Sequence, residues 1–287
     1  MAWSRGWLAP AKLNLFLHIT GRRADGYHDL QTVFQLLDVG DRLDFRLARD
    51  GDLALTCNDP ALAGEGNLVW RAATALRDRV PGPEGVHIHL EKVLPAGGGV
   101  GGGSSDAATA LLVLNALWEL GLSLDDLAEI GRDIGADVPV FVRGVTAFAE
   151  GIGDHLTPIE LPQSHYLVMH AGVAVATAPL FRSEELTRDC PPITIADFTG
   201  AGGSNVFEPL VRDRHTEIDV GMRWLDDQGA LYPSRLTGTG GCFFAVFEDS
   251  ETPEKVLASA PQPLRGFVAK GLARSPVHDR LQLHGVS

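Results

Sequence analysis

The chain has 287 residues, 45% of them hydrophobic and 21% charged, a composition that excludes disorder, collagen or coiled coil as a description of the whole and leaves room for about two domains. A formal charge of −13 argues against nucleic-acid backbones as partners at long range but leaves open a local site for a small phosphorylated ligand. The three widely spaced thiols Cys57, Cys190 and Cys242 make neither a disulfide framework nor a metal box, and they suit a reducing cytoplasm. The apolar start around Trp7–Ile19 is broken by Pro10, Lys12 and Asn14, unlike a secretory leader. The longest apolar stretches are too short for a membrane span.

Taken in chain order, Leu13, Leu15, Leu17 and Ile19 alternate as in a strand. Arg42–Leu47 and Leu53–Thr56 predict further strands with an Asp-Gly turn region between them. Asn67 is a good N-cap for a helix whose apolar stripe is Leu68, Val69, Ala72, Ala73 and Leu76. Val86–Leu90 predicts a short strand. Ala107–Leu120 is apolar on nearly every face, which predicts a helix buried between other elements. Ser123 with Asp126 caps a helix that runs to Ile134 and ends at Gly135. The Gly- and Pro-rich stretch Gly151–Pro158 marks a domain boundary, giving an N-terminal unit 1–156 and a smaller α+β unit 157–287. The second unit should hold a strand at Tyr166–His170, a helix near Ile218–Asp227 and paired strands flanking Thr237–Gly241. A helix near Pro253–Ala260 and a strand at Gly266–Ala269 complete it. This alternation lacks the βα rhythm of a parallel sheet, so the fold class is α+β.

The segment Pro95-Ala96-Gly97-Gly98-Gly99-Val100-Gly101-Gly102-Gly103-Ser104-Ser105 is the most informative. Six of its eleven residues are glycine, so its backbone can approach a ligand closely and take positive φ. It leaves a strand and enters the apolar helix, where free N–H groups and the helix dipole make a phosphate site. Ser104 and Ser105 can cap the helix, or bind phosphate oxygens and a metal. A flexible linker seldom sits between a strand and a fully apolar helix. A dinucleotide-binding unit is disfavoured as well. Gly97, Gly99 and Gly102 satisfy G-x-G-x-x-G, but the position for the ribose-binding acid falls on Glu119, inside the helix. No Gly-Lys-Ser/Thr ends the loop.

The pattern P-x(3)-G-x-G-G-G-S-S-D-A-A resembles the phosphate loop of the GHMP kinases. Four further segments occur in order: Pro10-Ala11-Lys12-Leu13-Asn14-Leu15, Arg23-Ala24-Asp25-Gly26-Tyr27-His28, Gly135-Ala136-Asp137-Val138-Pro139 and Leu236-Thr237-Gly238-Thr239-Gly240-Gly241. Together they resemble the branch of that family that phosphorylates 4-diphosphocytidyl-2-C-methyl-D-erythritol in non-mevalonate isoprenoid synthesis, and the likeness runs from about Leu8 to near His278. Val100 in place of the usual leucine and the extra Gly241 are mild departures that remove no functional group.

The resemblance implies a two-domain kinase with mixed sheets and helices and its active site in the cleft between domains. It would use ATP and Mg²⁺ on a small-molecule substrate, in the cytoplasm, as a monomer or weak homodimer, with no nucleic-acid or membrane partner. Lys12 and Asp137 would be the catalytic pair, and phosphoryl transfer needs both neutralised phosphate charge and a proton acceptor. The loop Pro95–Ser105, Asn67 and Lys92 would bind the nucleotide, although Asn67 is equally a helix cap. Ser105 would be a magnesium ligand. Asp106 is either a favourable acid at a helix N-terminus or a second oxygen for that ion. Asn14, Tyr27, His28, Thr177, Phe181, Thr237, Gly238, Thr239 and Gly240 would line the substrate side, with Tyr27 and Phe181 stacking on cytosine and His28 hydrogen-bonding to it. The alternatives are a GHMP kinase for another small alcohol and a non-catalytic ligand-binding relative.

Overall fold

The computed structural model describes residues 2–49, 51–79, 84–198 and 203–283. In chain order the elements are β1 (Ser4–Arg22), β2 (His28–Ala48), β3 (Leu53–Cys57), α1 (Leu68–Arg77), β4 (Gly85–Glu91), α2 (Gly102–Leu117), α3 (Leu124–Ile134), α4 (Val138–Arg143), β5 (Ala147–Glu150), β6 (His155–Pro158), β7 (His165–His170), α5 (Thr177–Arg182), α6 (Glu208–Arg214), α7 (Thr216–Asp226), β8 (Arg235–Leu236), β9 (Cys242–Phe247), α8 (Glu251–Ala258), β10 (Arg265–Leu272) and α9 (Pro276–Leu283). The strands form one sheet in the order β3-β4-β2-β10-β7-β9-β8, with β1 and β5 also on β2 and β6 on β5. Among the described pairs only β3/β4 is parallel. This is the expected α+β arrangement. No helix of the described residues is long and apolar enough to cross a membrane.

The sheet carries three apolar layers. In the first half, β1, β2 and β4 bury one face against α1, α2 and α3, with Phe45, Ile88, Leu111 and Leu114 at the centre. In the second half, β7 and β9 pack against α6 and α7 through Leu167, Phe243, Val211 and Met222. A third layer, including Leu13, Phe16, Tyr166 and Phe244, joins the halves. The chain then returns on itself. β10 pairs with β2 through Gly271 and Leu272, and α9 inserts Val277 and Leu281 into the first core. The stretch Gly151–Pro158 comprises the turn and second strand of the β5/β6 hairpin.

Several boundaries differ from the sequence expectation. The strand read at Leu13–Ile19 is the middle of a much longer β1, and Arg42–Leu47 is the end of an equally long β2. Their hairpin is broken by register shifts, one of them between Pro10 and Lys12. The central helix begins at Gly102 rather than Ala107. Glycines and serines read as helix breakers, but the first-turn N–H groups have no intrahelical partner in any case, so packing decides the start. Every residue from Ser105 to Leu114 is buried, as the all-round apolar pattern requires. The short β5, β6, α4, α5, α6 and α9 were not anticipated. Such pieces are stable only through the packing they join.

Candidate active site

Both halves of the chain line one cleft of about 1120 Å³. Its floor at one end is the glycine loop. Gly99 and Gly101 lie at φ +80° and +75°, a region that β-carbons disfavour. A Cβ on Gly99 would come 2.3 Å from the Thr237 carbonyl oxygen, and one on Gly101 would come 2.6 Å from the Phe141 ring. The loop is thus threaded tightly between the protein's own elements, beyond any need to approach a ligand. Gly101 is the N-cap of α2. Ser104 and Ser105 therefore lie inside the first turn and do not cap it, contrary to one of the two roles expected of them. Residues 95–104 line the cleft, and the N-terminal N–H groups and dipole of α2 are available to an anion there. Ser105 lies behind them, fully buried, its Oγ without a hydrogen-bond partner.

Beneath the loop, Lys92 is clasped by Asp41 and Asp106, with Nζ 2.8 Å from Asp106 Oδ2. Asp41 also accepts from the backbone N–H groups of Val93 and Leu94 at 2.6 and 2.8 Å, so it pins the strand end that leads into the loop. Burial works to lower the Lys92 pKa, but the two carboxylates outweigh it and hold the ammonium above its ordinary value. Burial pushes the Asp106 carboxyl up to about 7, against the pull of Lys92. A Cβ on Gly102 would sit 3.2 Å from both Asp41 Oδ2 and Lys92 Nζ. The cluster therefore supports the junction of loop and helix directly. Lys92 lines the cleft, but it is already committed to two acids. Asn67 is a helix cap: its Oδ1 accepts from Val69 N at 2.9 Å and its Nδ2 donates to Leu62 O at 2.8 Å. It lines the cleft as well.

Lys12 follows the register shift in β1. Its backbone N–H turns from the ladder to donate to the Val100 carbonyl of the glycine loop at 3.0 Å, a common use of irregular strand pairing beside active sites. Its side chain is buried, donates to Asn14 Oδ1 at 2.5 Å and lies 5.3 Å from the Phe34 ring centroid. The ammonium stands 3.4 Å from Asp137 Oδ2. Asp137 is at the N-cap position of α4, yet its side chain makes no capping bond. It is 39% exposed, and its carboxylate turns to Lys12 and the cleft. Asn14 is fixed in turn: its N–H donates to Thr237 Oγ1 and its Nδ2 to Thr32 Oγ1, both at 2.9 Å.

At the other end of the cleft are Tyr27, His28 and Phe181. Tyr27 is 63% exposed. The rings of His28 and Phe181 lie 5.4 Å apart at 36°. Burial, then Arg188 and Arg22, lower the His28 pKa. Thr177 and Thr239 share a hydrogen bond of 2.6 Å across the cleft. Of the second glycine turn, Gly238 and Thr239 line the cleft. Thr237 is fully buried behind Asn14, and Gly240 packs on the backbone of Gly98 and Gly99. The sequence reading missed Asp41, one of several acids along β2, and Arg188, neither of which belongs to a motif.

Among the described residues no group of three or more His, Cys, Asp or Glu could hold a metal. Kinase magnesium sites usually rest on one or two protein oxygens and the substrate phosphates. Ser105 Oγ and Asp106 Oδ1 are buried oxygens without partners at the helix start, a donor set of the right hardness.

Two family models match this chain: the GHMP kinases N terminal domain over residues 67–145 and the GHMP kinases C terminal model over 194–266. A solved 4-(cytidine 5'-diphospho)-2C-methyl-D-erythritol kinase is 31% identical with a TM-score of 0.80, covering 93% of this chain and 98% of that one. A homoserine kinase from Cytophaga hutchinsonii shares the fold at 17% identity and TM-score 0.67, over 96% of both chains. The Methanococcus jannaschii mevalonate kinase does so at 16% and 0.69, over 94% and 98%. With the glycine loop, the Lys12–Asp137 pair and the shared cleft in place, these likenesses show that the chain belongs to the GHMP kinases and is a small-molecule kinase.

Proposed function

We propose that the protein transfers the γ-phosphoryl group of ATP to a hydroxyl of 4-diphosphocytidyl-2-C-methyl-D-erythritol. The observation that carries this reading is the placement in one cleft of the glycine loop, the Lys12–Asp137 pair and the Tyr27–His28–Phe181 group. ATP phosphates meet the N–H groups of residues 101–104 and the dipole of α2. Lys12, held by Asn14, puts a fixed positive charge beside the loop, where charge builds on the transferred group. Asp137, half open to the cleft, accepts the proton of the attacking hydroxyl at its carboxylate. Ser105 and Asp106 would hold Mg²⁺, whose charge neutralises phosphate oxygens when it is bound. Tyr27 and Phe181 offer flat faces to the cytosine and His28 a directional contact. Three free cysteines support a reducing, cytoplasmic setting.

A coupled assay of ADP release with the cytidine diphosphate-linked alcohol, homoserine and mevalonate tests this. A preference for the first is expected; faster turnover of either of the others would reject the substrate assignment. His28→Ala should lower kcat/KM for the cytidine substrate by about 5- to 150-fold while ATP affinity stays as it is. An equal fall for an analogue without cytosine would show that His28 does not read the base.

A further inference from the structure

Arg188 follows α5 and reaches back across the cleft end to the start of β2. Its Nε–H donates to His28 Nε2 at 3.2 Å. The rest of the guanidinium donates to three carbonyls of its own loop: Leu186 O at 3.0 Å, Phe181 O at 3.0 Å and Ser183 O at 2.7 Å. Two of these acceptors, Phe181 and Ser183, lie at the C-terminal end of α5, where backbone carbonyls lack helical partners. One side chain therefore closes the turn that carries Phe181 and ties it to His28. The Phe181 ring is then held between His28, 5.4 Å away, and Phe207, 4.8 Å away and edge-on at 64°.

The direction of the Arg188–His28 bond has a chemical consequence. Guanidinium has no acceptor, so the contact needs a lone pair on Nε2. A neutral imidazole with a bare Nε2 carries its proton on Nδ1. With Nε2 occupied, the hydrogen-bond group the ring has left for a ligand is the Nδ1–H donor. Cytosine presents two adjacent acceptors, N3 and O2, whereas uracil carries a hydrogen on N3. Both bases keep O2 as an acceptor, so the discrimination falls on N3: a ring locked as a donor toward N3 matches cytosine and meets N–H with N–H on uracil.

We propose that Arg188 is a positioning residue of the base pocket, which selects cytosine over uracil by holding His28 as the Nδ1–H tautomer and pinning Phe181 beside it. This rests on the cytidine substrate assigned above. It adds a residue that acts on specificity without touching the reacting atoms, and it accounts for a half-buried fork of donors outside every sequence motif. Arginine rather than lysine is required, because only a planar fork meets four acceptors at fixed angles.

The test has a spectroscopic and a kinetic arm. Nitrogen-15 correlation spectra of the ligand-free wild type, with His28 assigned through a His28→Gln variant, should show Nδ1 protonated and Nε2 bare. In Arg188→Ala the signal should move toward the Nε2–H form. For that variant, KM for the cytidine substrate should rise about fivefold or more, with kcat much less affected. The ratio of kcat/KM between cytidine and uridine diphosphate-linked substrates should fall by a similar factor. Arg188→Lys should restore little of it. An Nε2–H tautomer in the wild type overturns the proposal whether or not the variants fold. So does an Arg188→Ala enzyme with an unmoved tautomer and equal losses on both substrates. Failure of the wild type to turn over the cytidine substrate would instead reject the substrate reading, while the ligand-free spectra would still decide the role of Arg188 in holding His28.

Discussion

Lys12 and Lys92 line the same cleft and both face aspartate, but the two groupings differ in construction. Lys92 is held by two carboxylates that are almost fully buried, Asp41 and Asp106, and one of these also accepts two backbone N–H groups. Lys12 is buried more deeply than Lys92, yet its carboxylate partner stands 3.4 Å off and is 39% exposed. In the first grouping three of the four carboxylate oxygens are spent on the protein itself, which supports the glycine loop, and Asp106 Oδ1 alone of the four is left without a partner. In the second, Asp137 has free lone pairs facing the cleft. A charged group available for chemistry must keep an oxygen that its own fold does not use, and the more of its oxygens are spent on the protein, the more it serves as a support.

The largest effect expected from this contrast is on turnover. Asp137→Asn should fold normally and lose about 10²-fold or more in kcat, the scale of a positioned proton acceptor. Its stability, read by urea unfolding, should change by less than about 1 kcal/mol, since Asp137 is itself partly exposed and Lys12 keeps its bond to Asn14 Oδ1. A kcat near the wild-type value would break the comparison on the chemical side.

Lys92→Met should show the reverse pattern. Removing the cation leaves two buried carboxylates facing each other, and breaking a buried pair costs about 3–5 kcal/mol. The same unfolding experiment should show this loss. A stable Lys92→Met protein with normal ATP affinity would mean that the cluster does not hold the loop.

Gly101 and Gly102 sharpen the contrast, because a Cβ on Gly101 meets Phe141 and Lys12 Cγ, whereas one on Gly102 meets Asp41 and Lys92. Gly101→Val places a β-branched residue at φ +75°, a strain of about 1–3 kcal/mol. It should weaken ATP binding in calorimetry more than binding of the second substrate, and it should also lower kcat by displacing Lys12. Gly102→Val should weaken ATP binding together with stability. Unchanged ATP affinity in both variants would place the phosphates elsewhere.

The smallest effect lies outside both groupings. His278 in α9 contacts the Val142 carbonyl at 2.9 Å, and burial lowers its pKa despite that bond. The unfolded chain then binds a proton that the folded one resists. Stability from this site is complete above the unfolded value near 6.5 and declines as pH falls below it. His18, His28 and His170 shift the same way, so His278→Gln should flatten the acid side of the stability curve only in part. An unchanged slope in denaturant titrations at several pH values would remove His278 from that account.

Chemistry that depends on residue type and close spacing was legible in the chain. The glycine run between a strand and an apolar helix specifies backbone approach and a dipole whatever surrounds it. The S-x-x-D cap at Ser123 formed as a full capping box, because its hydrogen bonds close within four residues. The Lys, Tyr-His and Asp motifs could be matched in order without knowing that they converge. What the chain could not show was anything set by contacts between distant segments. Whether Ser105 caps or lies behind the loop depends on where α2 begins, and packing against residues 41, 68 and 94 decides that. Asp41 and Asp106 lie 65 positions apart and are brought together around Lys92. Arg188 finds His28 across 160 residues, brought together by the packing of Phe181 and Phe207 against the sheet. Local hydrogen bonds and side-chain chemistry are properties of a short sequence. Burial and exposure, which decide whether a charged group is spent on the fold or left open to the cleft, are properties of the closed fold alone.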